Sequence, residues 1–224
     1  MIDFNKLIDN HLLKENKPRQ IGKYWPSEVG SCLRKVWYSY KFPKETDSKL
    51  LRIFESGNLL HEFVAEVIKS EKNKDVELLK KEMPIKIEEK DFIISGRVDN
   101  IVLVKINNEE VLVEVKSAKF LRDEPQESHI IQLQLYMHAT GIHKGVVLYI
   151  QKDNLETRWF NFDYDRKKAE KILERFRILH ETLKENKIPE PEAKKQKENN
   201  WMCNYCAWKK ECDEQEKGLR KYMK

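Results

Sequence analysis

Glycine and proline are scarce in this sequence, with seven residues of each among 224. Disordered and low-complexity segments are usually rich in these residues, so their scarcity argues against long unstructured stretches. Hydrophobic residues make up 40% of the chain and include five Trp, eight Tyr and nine Phe. This is enough apolar material for one compact domain with its own core. We therefore expect a single domain over residues 1–224.

Long apolar runs are lacking as well. No segment approaches the roughly 20 apolar residues that a membrane-spanning helix needs. The N-terminal MIDFNKLIDNHLLKENK is charged and amphipathic and lacks the apolar region of a secretory signal peptide. These features predict a soluble, cytoplasmic protein that does not associate with membranes.

A strong excess of one charge is also missing. The chain has 43 Lys and Arg residues against 38 Asp and Glu residues, which gives a formal net charge of +5. A mild basic excess permits a polyanionic partner such as DNA but does not require one.

Hydrophobic periodicity divides the chain into helical and extended segments. The helical period predicts helices over 5–15, after Ser27, and over 48–72, 127–139 and 165–187. Alternation of Ile and Val with polar residues predicts strands near 83–89, 92–104, 110–117, 145–153 and 157–163. The INNEE segment between the second and third strands is typical of a hairpin turn. This order of elements predicts an α/β fold in which helices flank a mixed, twisted sheet.

Acidic and basic side chains interrupt two of the predicted strands. Asp99 lies in SGRVDN, and Glu114 and Lys116 lie in VLVEVKSAK. Because strand side chains alternate, Glu114 and Lys116 share a face that we expect to be exposed, while the alternating valines point into a core. The hairpin can bring Asp99 beside Glu114, where Mg²⁺ or Mn²⁺ would relieve the repulsion between the carboxylates. Lys116 could then orient an attacking water or stabilise charge on a phosphate. Taken alone, the same pattern also fits a turn residue and an ordinary solvated ion pair.

Three more polar residues stand at regular positions around these strands. His61 lies in GNLLH on a predicted helix, and Gln132 and Tyr136 lie four residues apart in QLQLY. In order and spacing, the series G-x-x-x-H, G-x-x-D, E-x-K and Q-x-x-x-Y resembles the motifs of RecB-like nucleases of the PD-(D/E)xK superfamily.

The resemblance implies a role for each of these residues. It implies that the metal ligands are His61, Asp99, Glu114 and the backbone carbonyl of Val115. It implies that Lys116 is the catalytic lysine, acting with Asp99 and Glu114. Gln132 and Tyr136 would support the site or contact DNA. Val98 stands where some superfamily members carry a proline, which is not a ligand.

Cysteine is rare, with four residues in the chain. Three of them form a C-x2-C-x5-C pattern at Cys203, Cys206 and Cys212, and the fourth is Cys32, near the start of the helix that Ser27 would cap. Three interpretations remain open: incidental thiols, structural zinc held by four thiolates, or an iron–sulfur cluster. For either metal group with four thiolates, Cys32 must join the distant C-terminal trio.

The nuclease motifs and the cysteine pattern together resemble CRISPR-associated exonucleases of the Cas-four type. This resemblance implies a restriction-endonuclease-like core at about 41–188, and an iron–sulfur lobe from about 20–40 and 189–224. It also implies a cluster of the 4Fe-4S type in preference to 2Fe-2S, together with Mg²⁺ or Mn²⁺ at the nuclease site.

The same resemblance implies a substrate and a biological role. The expected substrate is DNA, single-stranded or with frayed ends. The expected role is prespacer trimming and flanking-motif selection in CRISPR adaptation, together with the Cas integrase complex. Two alternatives remain: a repair, viral or mobile-element iron–sulfur nuclease, and a non-catalytic DNA-end-binding module with a structural cluster.

Basic residues alternate with aromatic residues near the cysteines. Arg34 and Lys35 follow Cys32, Lys209 and Lys210 lie within AWKKEC, and the tail ends in KGLRKYMK. This pattern is typical of single-stranded nucleic acid binding, in which cations contact phosphates and rings stack on bases. It fits solvated faces of a lysine-rich protein equally well. Arg34, Lys35, Lys209 and Lys210 are thus candidate DNA-binding residues.

Overall fold

Six β-strands form one mixed sheet in the computed structural model, which describes residues 1–13 and 19–221. The strands are β1 (Lys23–Tyr24), β2 (Val76–Glu88), β3 (Ile93–Val104), β4 (Glu109–Ala118), β5 (Lys144–Gln151) and β6 (Thr157–Asp163). Their order is β1-β3-β4-β5-β6, and β2 pairs with β3. The antiparallel pairs are β2 with β3, β3 with β4, and β5 with β6, whereas β1 with β3 and β4 with β5 are parallel. The predicted mixed α/β architecture is confirmed.

Helices flank this sheet and connect its strands. They are α1 (Phe4–Leu12), α2 (Leu33–Lys41), α3 (Ser48–Lys69), α4 (Glu127–Thr140), α5 (Arg166–Lys184), α6 (Glu192–Lys195), a 3-10 helix (Lys197–Tyr205) and α7 (Lys209–Lys221). Helix α4 provides the crossover that the parallel strands β4 and β5 require.

Three groups of buried side chains stabilise the layers. Leu133 and Met137 of α4 pack against Leu112 of β4 on one face of the sheet. Val64 of α3 packs against the alternating valines of β4. A third group joins α2 and α5 and contains several aromatic side chains, among them Tyr24, Trp37 and Phe176. The sheet is therefore covered on both sides, and polar side chains within it are shielded from water.

Several predicted boundaries need correction. Ser27 does not cap a helix: residues 26–31 form turns, and Cys32 is the N-cap of α2. The first long strand begins at Val76, not near residue 83, so that Glu82 belongs to it. The N-terminal helix ends at Leu12, and residues 14 and 15 of the predicted helix lie outside the described residues, as do the last three residues of the basic tail.

Among the described residues, none of the helices combines the length and the apolar character that a membrane crossing demands.

Candidate functional site

The two strands that carry the motif carboxylates Asp99 and Glu114 lie side by side in the sheet. Their ladder pairs Asn100 with Val113, and the same register continued by one residue places Asp99 opposite Glu114. The backbone N–H of Val115 donates a hydrogen bond of 2.7 Å to Asp99 Oδ2. The hairpin thus brings Asp99 and Glu114 together at the point where the β3–β4 ladder ends.

The side chain of Glu114 is buried, contrary to the expectation of an exposed face. Only 1% of its surface is accessible, because α4 covers this side of the sheet. Lys116 Nζ lies 2.6 Å from Glu114 Oε1 and donates a second hydrogen bond of 3.1 Å to Gln132 Oε1 on α4. The pair lies on one face, as alternation predicts, but that face belongs to the interior.

Burial controls the electrostatics of this pair. Desolvation raises the pKa of Glu114 to about 7, and although the Lys116 charge opposes the shift, the nearby Asp99 adds to it. Burial alone would lower the pKa of Lys116, but the adjoining Glu114 carboxylate outweighs it and raises that pKa. A bound cation would favour the ionised form of Glu114 that burial disfavours.

His61 reaches the same place from α3. Its Nδ1 lies 3.4 Å from Asp99 Oδ1. Burial would lower the His61 pKa, but the contact with Asp99 raises it overall. Gly57, one turn earlier, allows α3 to approach β4 closely, because a Cβ at this position would lie 3.2 Å from Ser117 Oγ. The glycine and the histidine of the GNLLH motif therefore serve one purpose, which is to place the imidazole next to Asp99.

Glu82 is a member of the site that the sequence analysis missed. One ligand-type atom from each of His61, Glu82 and Asp99 lies within 4.8 Å of the others. The alternating pattern that predicted a strand from residue 83 left Glu82 outside it. We call His61, Glu82, Asp99, Glu114 and Lys116 together the carboxylate site.

The donors of the carboxylate site fit a divalent cation such as Mg²⁺ or Mn²⁺. Such cations prefer carboxylate and carbonyl oxygens. Glu114 Oε2 is buried and has no hydrogen-bond partner among the described residues, and an uncompensated buried carboxylate oxygen is costly. A cation would satisfy this oxygen. Of the ligands that the motif resemblance implies, His61 and Asp99 have ligand atoms within 4.8 Å of each other, and Glu114 offers the unpartnered oxygen.

Gln132 and Tyr136 form a hydrogen-bonded chain that ends at Lys116, the lysine of the E-x-K motif. Gln132 accepts from Lys116 Nζ, and its Nε2 donates to Tyr136 Oη at 3.0 Å. Tyr136 is only 3% exposed. Of the two roles that the resemblance implies for it, this burial fits support of the site and not contact with DNA. Next to them, Tyr149 Oη accepts from the backbone N–H of Gln126 at 2.9 Å, and no sequence motif pointed to this tyrosine.

The four cysteines line one small cavity of about 30 Å³, although Cys32 lies far from the others in sequence. Cys32 caps α2, Cys203 lies in the 3-10 helix, Cys206 follows that helix, and Cys212 lies in α7. We call residues 30–41 and 189–217 the cysteine lobe.

The thiols of the cysteine lobe need a positive partner if they ionise together. Burial raises the pKa of Cys203, and the neighbouring thiols raise it further, while Lys194 opposes them. Burial also raises the pKa of Cys206, and Lys35 opposes that shift. Neighbouring thiolates repel one another, and a bound metal ion relieves that repulsion. Four thiols around one cavity therefore fit a metal–thiolate group.

Arg34 is a structural residue, and its assignment as a candidate DNA contact is wrong. It is 4% exposed, so a phosphate cannot reach its guanidinium. Its Nε donates a hydrogen bond of 2.6 Å to the Pro189 carbonyl, and Nη1 lies 3.7 Å from Cys212 Sγ. Arg34 therefore ties α2 to the C-terminal part of the lobe.

The other three candidate DNA contacts remain accessible to different degrees. Lys35 is half-buried at the rim of the cavity. Lys209 is exposed, but its Nζ lies 2.8 Å from Asp213 Oδ2. Lys210 is exposed. These side chains lie on the same lobe as the cysteines, as their positions in the sequence suggest.

Comparison with known proteins relates both regions to nucleases. The family model described as PD-(D/E)XK nuclease superfamily matches residues 26–213. The chain is 24% identical over 210 residues to the CRISPR-associated exonuclease Cas4 of Saccharolobus solfataricus, covering 92% of this chain and 94% of that protein.

Solved structures share the fold. The crystal structure of SSO0001 superimposes with a TM-score of 0.61 at 21% identity, covering 92% of this chain and 94% of that one. A phage-related exonuclease from Haemophilus somnus 129PT gives a TM-score of 0.53 at 13% identity over 72% of this chain and 93% of that one. An alkaline exonuclease from Laribacter hongkongensis gives 0.50 at 14% identity over 74% of this chain and 90% of that one.

Proposed function

The chain belongs to the PD-(D/E)XK nuclease superfamily, and we propose that it is a divalent-metal-dependent exonuclease that hydrolyses phosphodiester bonds of single-stranded or frayed DNA. The observation that carries this proposal is the carboxylate site itself. Asp99, Glu114 and Lys116 meet at the end of the β3–β4 ladder, and the buried Glu114 Oε2 lacks a protein partner among the described residues.

The side chains of the site divide the work of phosphodiester hydrolysis. A cation held there would supply Lewis-acid stabilisation of the phosphate and a more acidic water. Lys116 Nζ, held between Glu114 and Gln132, can orient a water for attack or stabilise negative charge that develops on the phosphate. The Gln132–Tyr136 chain fixes the direction of Lys116 and thereby limits the reorganisation that the reaction would require.

We further propose an iron–sulfur cluster of the 4Fe-4S type, held by Cys32, Cys203, Cys206 and Cys212. Tetrahedral zinc with Zn–S distances near 2.3 Å would bring its sulfur ligands to about 3.8 Å from one another. Among the described residues, no three cysteine sulfurs lie within 4.8 Å of one another. This spacing is wider than four thiolates on one zinc ion require, and it supports the larger cage of a metal–sulfur cluster.

The similarity to a protein named as a CRISPR-associated exonuclease supports a role in CRISPR adaptation. In this role the enzyme, acting in the cytoplasm, would trim prespacers and select those with the right flanking motif, together with the Cas integrase. The alternative with the same chemistry is a repair, viral or mobile-element nuclease, and the alternative of another class is a DNA-end-binding module that does not cleave.

Digestion of end-labelled DNA tests the enzymatic proposal. Purified protein with Mn²⁺ or Mg²⁺ should shorten a single-stranded oligonucleotide and a duplex with frayed ends faster than a blunt duplex, and EDTA should stop the reaction. Binding of the DNA ends without any cleavage at either metal would support the binding module instead.

Spectroscopy tests the cluster. Protein purified without oxygen should be brown, with broad absorbance near roughly 400 nm, and should contain iron and acid-labile sulfide. Colourless protein with stoichiometric zinc would contradict the iron–sulfur assignment but not the nuclease activity.

A further inference from the structure

Glu82 stands directly opposite another carboxylate in the sheet. The β2–β3 ladder pairs Lys81 with Asn100 and Met83 with Val98, so the unchanged register between these pairs places Glu82 opposite Asp99. Directly opposed like charges destabilise a pair of strands. A third charge of the same sign lies nearby, because Asp99 is also the neighbour of Glu114 in the β3–β4 hairpin.

The backbone at Glu82 has an uncommon conformation. Its φ is +49°, in the left-handed region that side chains with a Cβ adopt at an energetic cost. The ladder skips this pair, while the pairs on both sides of it keep the same register, and the register shift of β2 lies earlier, between Leu78 and Lys80. The conformation therefore belongs to Glu82 and not to a general irregularity of the strand at this point.

The protein side chains around Glu82 neutralise it only partly. Arg97 Nε lies 3.2 Å from Glu82 Oε2, but the Arg97 side chain is 69% exposed, and exposed ion pairs contribute little to stability. His61 is shared with Asp99. The same region holds the buried Glu114 Oε2, which lacks a protein partner in the described part of the chain. Glu82 and Asp99 therefore lie close together beside the hairpin neighbour Glu114, and the protein compensates their charge only partly.

The Glu82 side chain is 39% exposed, but it is close enough to the site to affect a buried group there. Burial raises the pKa of the Tyr136 hydroxyl, and the charges of Glu114, Asp99 and Glu82 all add to this effect. Tyr136 lies on the α4 side of the sheet, where it belongs to the Lys116–Gln132 chain. Glu82 thus lies near the same buried network, and its carboxylate can offer an oxygen within 4.8 Å of ligand atoms of His61 and Asp99.

We propose that Glu82 is a further ligand of the divalent-cation centre, and that it binds the cation together with His61 and Asp99. This inference rests on the proposed metal-dependent function and adds a residue that none of the nuclease motifs contains. A cation within reach of these three side chains explains why the strand tolerates two opposed acids and an uncommon backbone conformation at this pair. The residue type fits as well, since carboxylate oxygen is the preferred ligand of Mg²⁺ and Mn²⁺.

Binding of Mn²⁺ alone to the full chain, measured by isothermal titration calorimetry, tests the proposal. Glu82→Gln keeps the shape of the side chain and removes the ligand charge, so the dissociation constant for Mn²⁺ should rise at least about tenfold. Glu88→Gln is the matched control. It lies on the same strand, is exposed, pairs with Lys86, and changes the net charge by the same amount. It should bind Mn²⁺ like the wild type.

A second variant separates ligation from ion pairing. Arg97→Ala removes the partner of Glu82 but no ligand, so Mn²⁺ affinity should stay the same or increase. If Arg97→Ala weakens binding as much as Glu82→Gln does, or if Glu82→Gln binds Mn²⁺ within about twofold of the wild type, the proposal is wrong.

Two further measurements keep the test independent of folding and of the nuclease assignment. Thermal melts in EDTA show whether the Glu82→Gln protein folds. If this variant does not fold, Glu82→Asp is used in its place. It retains the charge but retracts the carboxylate, so it should also weaken Mn²⁺ binding. DNA digestion by the wild type is assayed separately. Wild-type protein that binds Mn²⁺ through Glu82 but never cleaves DNA would contradict the nuclease function alone, whereas cleavage with unchanged Mn²⁺ affinity in Glu82→Gln would contradict this inference alone.

Discussion

The carboxylate site and the cysteine lobe both gather side chains of the kinds that can bind metals, but the chain assembles them differently. The carboxylate site takes its residues from neighbouring strands and one helix, and protein hydrogen bonds already hold them. Asp99 accepts from the Val115 backbone, and Lys116 connects Glu114 to Gln132. The sheet therefore fixes this site before any cation binds.

The cysteine lobe joins the two ends of the chain through a few polar contacts. Leu33 N–H donates to Glu192 Oε2 at 2.9 Å, and Trp208 Nε1 donates to the Phe42 carbonyl at 2.9 Å. Protein contacts to the thiols are few among the described residues: Cys212 receives one long contact from Arg34, and Cys206 accepts a backbone hydrogen bond from Trp208. A site of this kind depends on what binds the thiols. We therefore expect loss of the cation to affect activity alone, and loss of the cluster to affect the fold.

Changes in the carboxylate site should give the largest effect on activity with the smallest effect on the fold. Lys116→Ala and Glu114→Gln should each lower the rate of DNA cleavage by at least about a hundredfold, because each removes an electrostatic interaction with the transition state. Single-strand affinity and iron content should stay near those of the wild type. Rates are measured on end-labelled DNA with Mn²⁺.

Glu110→Ala provides the control for these variants. Glu110 lies on β4 and is exposed, so its loss should leave cleavage unchanged. Near-normal turnover by Lys116→Ala would remove the nuclease assignment of this site.

Removal of a cysteine should have the opposite result from a change in the carboxylate site, with its main effect on the stability of the fold. If one cluster joins Cys32 to the C-terminal trio, it closes a loop around the nuclease core. By analogy with a long disulfide loop, this constraint is worth about 4 kcal/mol. Cys32→Ala and Cys206→Ala should therefore lose iron and lower the melting temperature by similar amounts, whereas treatment of wild-type protein with EDTA should leave the melt nearly unchanged.

Ser31→Ala, next to Cys32, serves as the control and should keep both iron and the wild-type melt. A Cys32→Ala protein that retains full iron would contradict the joining of the two chain ends by one cluster.

Much of the fold could be predicted because alternation and helical periodicity follow from burial on the sheet and the helices. Strand β6 has the predicted bounds, and β4 differs by one residue at each end. The prediction failed where tertiary contacts decide. Ser27 does not start a helix, because residues 26–31 turn against α4, and a Cβ at Gly30 would lie only 2.8 Å from Ser128.

The sequence analysis predicted the motif residues as members of the candidate site, but it missed Glu82, which lies between two motifs. Residues 78–82 read LLKKE, which does not alternate between apolar and polar side chains, so the strand was not predicted as far back as Glu82. The burial of Glu114 and of Arg34 could not be predicted either. Both are charged, and only the packing of α4 and of the chain ends around them excludes water.

The buried Glu114 predicts how pH affects the carboxylate site. Its pKa is raised to about 7, mainly by burial and against the opposing charge of Lys116. Because a proton and the cation compete for this carboxylate, the affinity for Mn²⁺ should fall as the pH falls through 7, by about tenfold between pH 8 and pH 6. Protonation of His61, whose pKa is also raised, acts in the same direction.

Calorimetry with Mn²⁺ across this range measures the effect. The iron content of the cysteine lobe over the same range is the comparison, and it should not change. Constant Mn²⁺ affinity between pH 8 and pH 6 would show that Glu114 is not a ligand.

The smallest expected effect concerns DNA contacts on the cysteine lobe, where each lysine contributes one charge that solvent can reach. Lys35→Ala and Lys210→Ala should each weaken single-strand binding a few-fold. Each should also reduce the dependence of log K on log salt by about 0.7, the value for one phosphate contact on a single strand. Lys209→Ala should have less effect, because Asp213 already occupies its Nζ at 2.8 Å.

Lys105→Ala in the β3–β4 turn is the control and should not change the salt dependence. Fluorescence anisotropy of a labelled oligonucleotide at several salt concentrations measures both quantities. If Lys35→Ala and Lys210→Ala leave the slope unchanged while cleavage remains normal, the DNA does not pass over this lobe, and the role of the lobe is confined to joining the chain ends.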